Sequence, residues 1–299
     1  MGGGLGGSVV LVSGPVGTLL LILAALIVWL LIRVQPLLGK PHLERLDRFH
    51  SSLAADREKV VICLGDSLTH GNASFDYVHA LALRLEPWGY TILNAGVNGE
   101  LAWNLLQRAE DVVSVEPAFV VLLVGTNDAR GSEDERAGAR YVRRQALPQA
   151  PDEDFFFDNY RLLLDKLETS ETARTVLVTL PPLGERRGEP IDEVLDRFNE
   201  FIENEAQERE MACLPLGRVL HERLLSDAFE DTPAYEAQGA ERLVLKSLFR
   251  HYLLGWSWDR ISSHFQMKLL TDMIHLNEAS GSTLVDLIEA EIKVESESE

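Results

Sequence analysis

Five short apolar runs punctuate the middle of the chain, and segments with helical periodicity separate them. The runs are KVVICLG (59–65), YTILNAG (90–96), AFVVLLVG (118–125), RTVLVTLPP (174–182) and MACLPL (211–216). The helical segments are FDYVHALALRLEP (75–87), ELAWNLLQRAEDVV (100–113), DFFFDNYRLLLDKLE (154–168), IDEVLDRFNEFIENEAQER (191–209) and a last one at 278–293. A strand without polar alternation must be covered on both faces. Strands of this kind spaced by helices therefore predict a parallel sheet sandwiched between helical layers. Such sheets gather their active groups outside the carboxyl ends of the strands. That rule directs attention to the residues after Leu64, Leu93 and Val124.

The first of these places reads Gly65-Asp66-Ser67-Leu68, and the second reads NAGVNGE, with Gly96 and Gly99. The third reads Gly125-Thr126-Asn127-Asp128. Near the carboxyl end stands TDMIHLN, with Asp272 and His275. Together these blocks resemble the SGNH (GDSL-type) hydrolases, whose blocks run GDS, a glycine, GxND and DxxH in that order. The resemblance extends from about Lys59 to the final helix. The G-x-S-x-G elbow of another hydrolase fold is disfavoured, because Thr69 stands where its last glycine belongs. No G-x-G-x-x-G follows a strand, which disfavours a dinucleotide site.

The resemblance implies a flavodoxin-like three-layer α/β/α sandwich with a five-stranded parallel sheet, here preceded by an N-terminal transmembrane helix. It also implies roles for residues. Ser67 attacks the ester carbonyl, His275 serves as its base, and Asp272 orients the imidazole. The oxyanion is met by the backbone N–H of Ser67, the backbone N–H of Gly99 and the side-chain amide of Asn127. Gly96 is the other candidate for the glycine donor; Gly99 is preferred because it matches the family's second-block spacing. A helical turn would put Asp272 and His275 on one face. No cofactor or metal is implied. His70 is the rival base, being nearest to Ser67 in sequence. Asp66 and Asp128 read as turn architecture, and His79 as a packed helix residue. His221, His251 and His264 lie in a variable insert, and His42 and His50 in a tether.

The amino end is of another kind. The run GTLLLILAALIVWLLI (17–32) carries no charge and approaches the length of about 20 residues that a helix needs to cross a bilayer. No Lys or Arg precedes it and no small-x-small cleavage site follows, which favours an uncleaved anchor over a signal peptide. MGGGLG resembles a myristoylation site but has Gly6 where Ser or Thr is wanted, so it reads as a tail. Arg33, Lys40, Arg45 and Arg48 follow the span, which predicts a single-pass membrane protein with its body on the cytoplasmic side. The organisation expected is a tail and anchor at 1–33, a tether at 34–58, a hydrolase domain at 59–294 and a frayed acidic tail at 295–299.

Composition narrows the partners. The formal net charge is −19 and the sequence pI about 4.8, a poor match for nucleic acid phosphates. Cys63 and Cys213 both sit in apolar runs and read as two buried free thiols, without metal spacing nearby. Residues 129–152 are polar and residues 217–270 rich in apolar and aromatic side chains; both read as substrate-shaping or lid segments. Trp256 and Trp258 could line an acyl pocket, touch a membrane or pack in the core. The reading is a membrane-bound serine esterase acting through an acyl-enzyme on a lipid or acyl ester, such as a lysophospholipid or an acyl thioester. The family equally includes carbohydrate O-acetylesterases. Acyl transfer to an acceptor other than water, or an idle lipid-binding or scaffold module, are the remaining alternatives.

Overall fold

A computed structural model describes residues 15–34, 59–227 and 231–298 of the 299-residue chain. The chain divides into two units, Met1–Gly39 and Lys40–Glu299. In the first, helix α1 (Pro15–Val34) carries one charged residue, Arg33. Its described side chains, among them Leu21, Leu26 and Trp29, are exposed. Those side chains are described only in part, and over the described residues no helix is long and apolar enough to cross a membrane. The expected tether at 34–58 lies almost wholly outside the described residues.

The second unit is built on a parallel sheet in the order β2-β1-β3-β4-β5. The strands are β1 (Val60–Gly65), β2 (Thr91–Gly96), β3 (Phe119–Leu123), β4 (Arg174–Val178) and β5 (Ala212–Leu214). β1 and β3 are buried along their whole length, as apolar runs covered on both faces must be. The edges are β2, partly exposed, and β5, which is only three residues long. The chain leaves β1 in the middle of the sheet, crosses to the β2 edge and returns to β3 on β1's other side. The crevice between the carboxyl ends of β1 and β3 is thus the switch point of the sheet.

Helices cover both faces. After β1 come the short α2 (Ser67–His70), α3 (Tyr77–Leu85) and a 3₁₀ turn at Glu86–Trp88. After β2 come α4 (Ala102–Gln107) and α5 (Ala109–Val113). Beyond β3 lie α6 (Thr126–Glu133), α7 (Glu135–Gln145) and α8 (Glu153–Leu167). α9 (Pro190–Glu208) joins β4 to β5. α10 (Leu216–Asp227), α11 (Ala237–Leu248), a π-helical turn at Phe249–Leu253, α12 (Trp258–His264) and α13 (Glu278–Ser298) complete the chain. α8 packs on α4, α5 and α9, and α13 on α3 and α10. Ring stacking of Phe156 on Phe198 and of Phe157 on Phe201, each at 4.3 Å, locks α8 to α9. Asp152, Asp134 and Asp76 cap the helices that follow them by accepting backbone N–H bonds.

The structure departs from the sequence expectations at several places. The helix expected over 100–113 breaks at Arg108, whose side chain turns inward to donate to the carbonyls of Ala95 (2.8 Å) and Gly65 (3.2 Å). The polar segment 129–152, expected to shape the substrate site or act as a lid, is largely helical. α6 is mostly buried, and Gly138 lets α7 approach closely, since a Cβ there would lie 2.8 Å from the Gly131 carbonyl oxygen. The acidic end continues as helix to Ser298 where a frayed tail from 295 was expected. Cys63 is buried but Cys213 only half-buried; both are free, on strands separated by β3 and β4.

Two groups make the fold's tolerance measurable. Gly96 ends β2 where α2 presses on it: a Cβ there would lie 2.2 Å from the His70 nitrogen and 2.5 Å from the Thr69 carbonyl carbon. Backbone cannot yield as a flexible side chain can, so Gly96→Ala costs about 1–3 kcal/mol, read as a lower urea midpoint. An unchanged midpoint contradicts this packing. Asp128 is fully buried and accepts the Ala102 N–H at 3.3 Å, tying α6 to α4. Burial pushes its carboxyl up to about 8. The folded chain therefore holds a proton that the unfolded chain releases near pH ~4. This group's stabilising contribution is present at low pH and fades as pH rises through about 8. Asp128→Asn should flatten the decline of Tm across that window; a parallel Tm-versus-pH curve in the variant contradicts it.

Candidate active site

Ser67 opens α2 directly beyond β1. The preceding Asp66 caps the helix, accepting the Leu68 N–H at 2.9 Å. The tight exit is possible because Gly65 has no side chain: a Cβ would lie 2.4 Å from the Leu123 carbonyl oxygen. From the other end of the chain, His275 presents Nε2 at 3.0 Å from Ser67 Oγ. Its Nδ1 lies 3.0 Å from both carboxylate oxygens of Asp272. Since a carboxylate only accepts, Nδ1 carries the imidazole proton, and Nε2 is left to accept the Ser67 hydroxyl.

Asp272 and His275 do not share a helical turn, as the spacing had suggested. Their loop is closed by an antiparallel bridge between Leu270 and Leu276 and by the Thr271 N–H donating to the His275 carbonyl at 2.7 Å. Met273 takes a positive φ of 74° at the tip. Asp272 Oδ1 also accepts the backbone N–H groups of Ile274 and His275, so one carboxylate both shapes the turn and faces the ring. Asp272 is fully buried and His275 nearly so, while Ser67 is half-buried.

The expected donors lie on the neighbouring strand ends. Ser67 is the first residue of its helix, so its N–H is one that the helix leaves unpaired. Gly99 sits in the turn Val97–Glu100 with φ of 77°, a conformation that favours glycine. Gly96 is not equivalent: its N–H donates to Asn94 Oδ1 at 3.0 Å. Asn127, in the first turn of α6, uses its amide differently from the free donor expected. Nδ2 donates to the Glu100 carbonyl at 2.9 Å and, more weakly, to Asp66 Oδ2 at 3.2 Å, and Oδ1 accepts the Tyr141 hydroxyl at 2.6 Å.

Electrostatically the floor of the site is a buried carboxyl. Burial raises Asp66 to about 7, against the Leu68 N–H bond and the nearby His275 and Arg130, which favour its charged form. Asp66 is therefore more than a turn residue, because it also holds Asn127. Several supporting groups carried no sequence signal. Arg108 pairs with Glu100 at 2.8 Å beneath the strand ends. Glu185, from the loop after β4, accepts the N–H groups of Lys268, Leu269 and Leu270 at 2.7 Å each and so anchors the approach to Asp272. Asn277 closes the far side, donating to the Lys268 carbonyl at 2.7 Å.

The remaining candidates fall elsewhere. His70 ends α2 and is not the histidine at hydrogen-bond distance from Ser67 Oγ. His251 stacks on the buried Trp258 at 3.9 Å, and Trp256 lies under the Arg260 guanidinium at 4.1 Å. The Tyr252 hydroxyl donates to the Asn72 carbonyl at 2.8 Å, which joins the π-helical turn to the chain just beyond α2. As a whole, the site can move a proton from a hydroxyl to an imidazole and back, beside backbone and amide donors suited to an oxyanion.

No curated protein matches the sequence. Among solved structures, the fold is similar to the acetyl xylan esterase AlAXEase, with 19% identity, 78% of this chain and 99% of that chain covered, and a TM-score of 0.52. It is also similar to a GDSL-like lipase from Bacteroides thetaiotaomicron VPI-5482, with 18% identity, 84% and 97% covered, and a TM-score of 0.53. Residues 63–279 match the model of the GDSL-like Lipase/Acylhydrolase family, a span that takes in Ser67, Gly99, Asn127, Asp272 and His275. The chain belongs to that family and is an enzyme that hydrolyses ester bonds.

Proposed function

We propose that the enzyme is a serine esterase that works through an acyl-enzyme and acts on lipid or acyl esters of the lysophospholipid or acyl-thioester kind. The observation that carries this reading is the alignment of Ser67 Oγ, His275 and Asp272 at 3.0 Å spacings. Ser67 Oγ bonds to the ester carbonyl carbon while its proton passes to His275 Nε2. The carbonyl oxygen becomes an oxyanion, met by the N–H groups of Ser67 and Gly99 and by Asn127 Nδ2. Collapse of the intermediate breaks the bond to the alcohol or thiol, which takes the proton from His275. Water then repeats the sequence on the Ser67 ester and releases the acid.

Asn127 must free one N–H to serve as a donor, and the weaker bond to Asp66 is the one to give up. The lipid preference rests on composition and place. Leu245 and Phe249 are exposed on α11 and the π-helical turn, and Leu254 just after it, the region that Tyr252 ties to Asn72 beside α2. The uncharged run 17–32 is read from sequence as a membrane anchor with the body on the cytoplasmic side.

Intact enzyme in detergent, assayed on esters of increasing acyl length, tests this function. Ser67→Ala should lower kcat by about 10³-fold or more, and an unchanged rate removes the serine from the mechanism. Turnover should rise with acyl length; activity confined to acetyl esters overturns the lipid reading in favour of a carbohydrate O-acetylesterase. Carbonate extraction should leave the intact chain in membranes; release into the supernatant overturns the anchor.

A further inference from the structure

The Asn127 amide sits at the end of a one-directional hydrogen-bond chain that begins at a buried cation. Arg130 lies one turn further along α6 and is nine-tenths buried. Its Nη1 donates to the Tyr141 hydroxyl at 2.8 Å, and its Nε to the Tyr235 hydroxyl at 3.1 Å. Tyr141 in turn donates to Asn127 Oδ1 at 2.6 Å. Burial raises the Tyr141 phenol to about 12 despite the pull of Arg130, so the hydroxyl keeps its proton and remains a donor at neutral pH. Among the described residues Arg130 forms no ion pair, its side-chain bonds go to the two phenols, and its Nη2 is buried without a partner.

A guanidinium buried in this way is an expensive structural tie, since its direct partners are phenols and the carboxylates that favour its charge, Asp66 and Glu241, act only from beyond ion-pair distance. The chain it starts has a direction. Each donor is polarised by the one behind it, and the last bond draws electron density out of the Asn127 carbonyl. That makes the Nδ2 hydrogens more acidic and stronger donors, by a cooperative effect of about 10–30% per bond. The same bond settles the orientation of the amide. With Oδ1 held by a donor, Nδ2 must face the Glu100 carbonyl and Asp66, the residue next to Ser67 in the chain.

We infer that Tyr141 and Arg130 are positioning residues that orient and polarise the Asn127 amide for the transition state. This rests on Asn127 being an oxyanion donor. The helices that carry the relay belong to the polar segment that reads, in sequence, as a lid.

A double-mutant cycle in the intact chain, on one ester substrate, tests it. Tyr141→Phe removes one oxygen and should lower kcat about tenfold with KM unchanged, because the lost interaction counts in the transition state. In the Asn127→Ala background, itself lowered about 10²–10³-fold, Tyr141→Phe should change kcat less than twofold. If Asn127→Ala leaves kcat intact, the oxyanion reading fails and takes the relay with it. If Asn127→Ala is slow but Tyr141→Phe loses the same factor in both backgrounds, or nothing in either, the relay alone is wrong. Arg130→Lys keeps the charge but cannot bridge two phenols. Its kcat should fall, and its effect should vanish in the Asn127→Ala background, which decides the question if Tyr141→Phe does not fold. A drop in Tm without a drop in kcat marks a purely structural tie and overturns the proposal.

Discussion

One hydrogen bond, from the Ser67 hydroxyl to His275 Nε2, joins residues 208 positions apart, and much of the surrounding structure holds its two ends. On one side, Ser67 rides a four-residue helix that could not hold itself in place. It is seated instead by contact, pressed against Gly65 and Gly96 where no Cβ fits. On the other side, His275 sits on a loop with almost no regular structure. That loop is pinned by Glu185, Asn277 and the Phe75 N–H, which donates to the Leu276 carbonyl at 2.9 Å. The last bond ties the His275 loop directly to the segment that follows α2.

The two halves are held by different physics. The serine side depends on steric exclusion, which fixes position sharply and fails when volume is added. The histidine side depends on buried polar groups satisfied by backbone donors, which fails when one partner is lost. Around both runs a layer of buried ionisable groups: Asp66, Asp128, Glu185 and Arg130. Such groups cost stability unless each is matched, and here most are matched by backbone N–H or phenol groups and few by ions of opposite charge. Carboxyls held this way keep their protons nearer to neutral pH, as the upward shifts of Asp66 and Asp128 show.

What was legible in the sequence follows from range. β1 and β3 could be read because burial on both faces leaves a continuous apolar run, and Ser67 and Asn127 because they follow those runs, whereas Asp272 and His275 follow no strand and came from the resemblance alone. Arg108 could not be read as a helix break, since its reason for turning inward lies in the carbonyls of Gly65 and Ala95 on other elements. The DxxH spacing suits a helical turn or an Asp-centred loop equally well, and only the closing bridge distinguishes them. Tyr141 looked like one residue of a polar stretch because its partner, Asn127, belongs to another helix. The resemblance implied an oxyanion role for the Asn127 amide, and its resting engagement with Glu100 and Asp66 was not legible.

The central claim is that His275 makes Ser67 a nucleophile. Intact-mass spectrometry after exposure to a fluorophosphonate measures this directly, without knowledge of the natural ester. The expected result is a single adduct, mapped to the peptide containing Ser67 and lost or greatly slowed in His275→Gln. An adduct on another residue, or equal labelling in the two proteins, would contradict it.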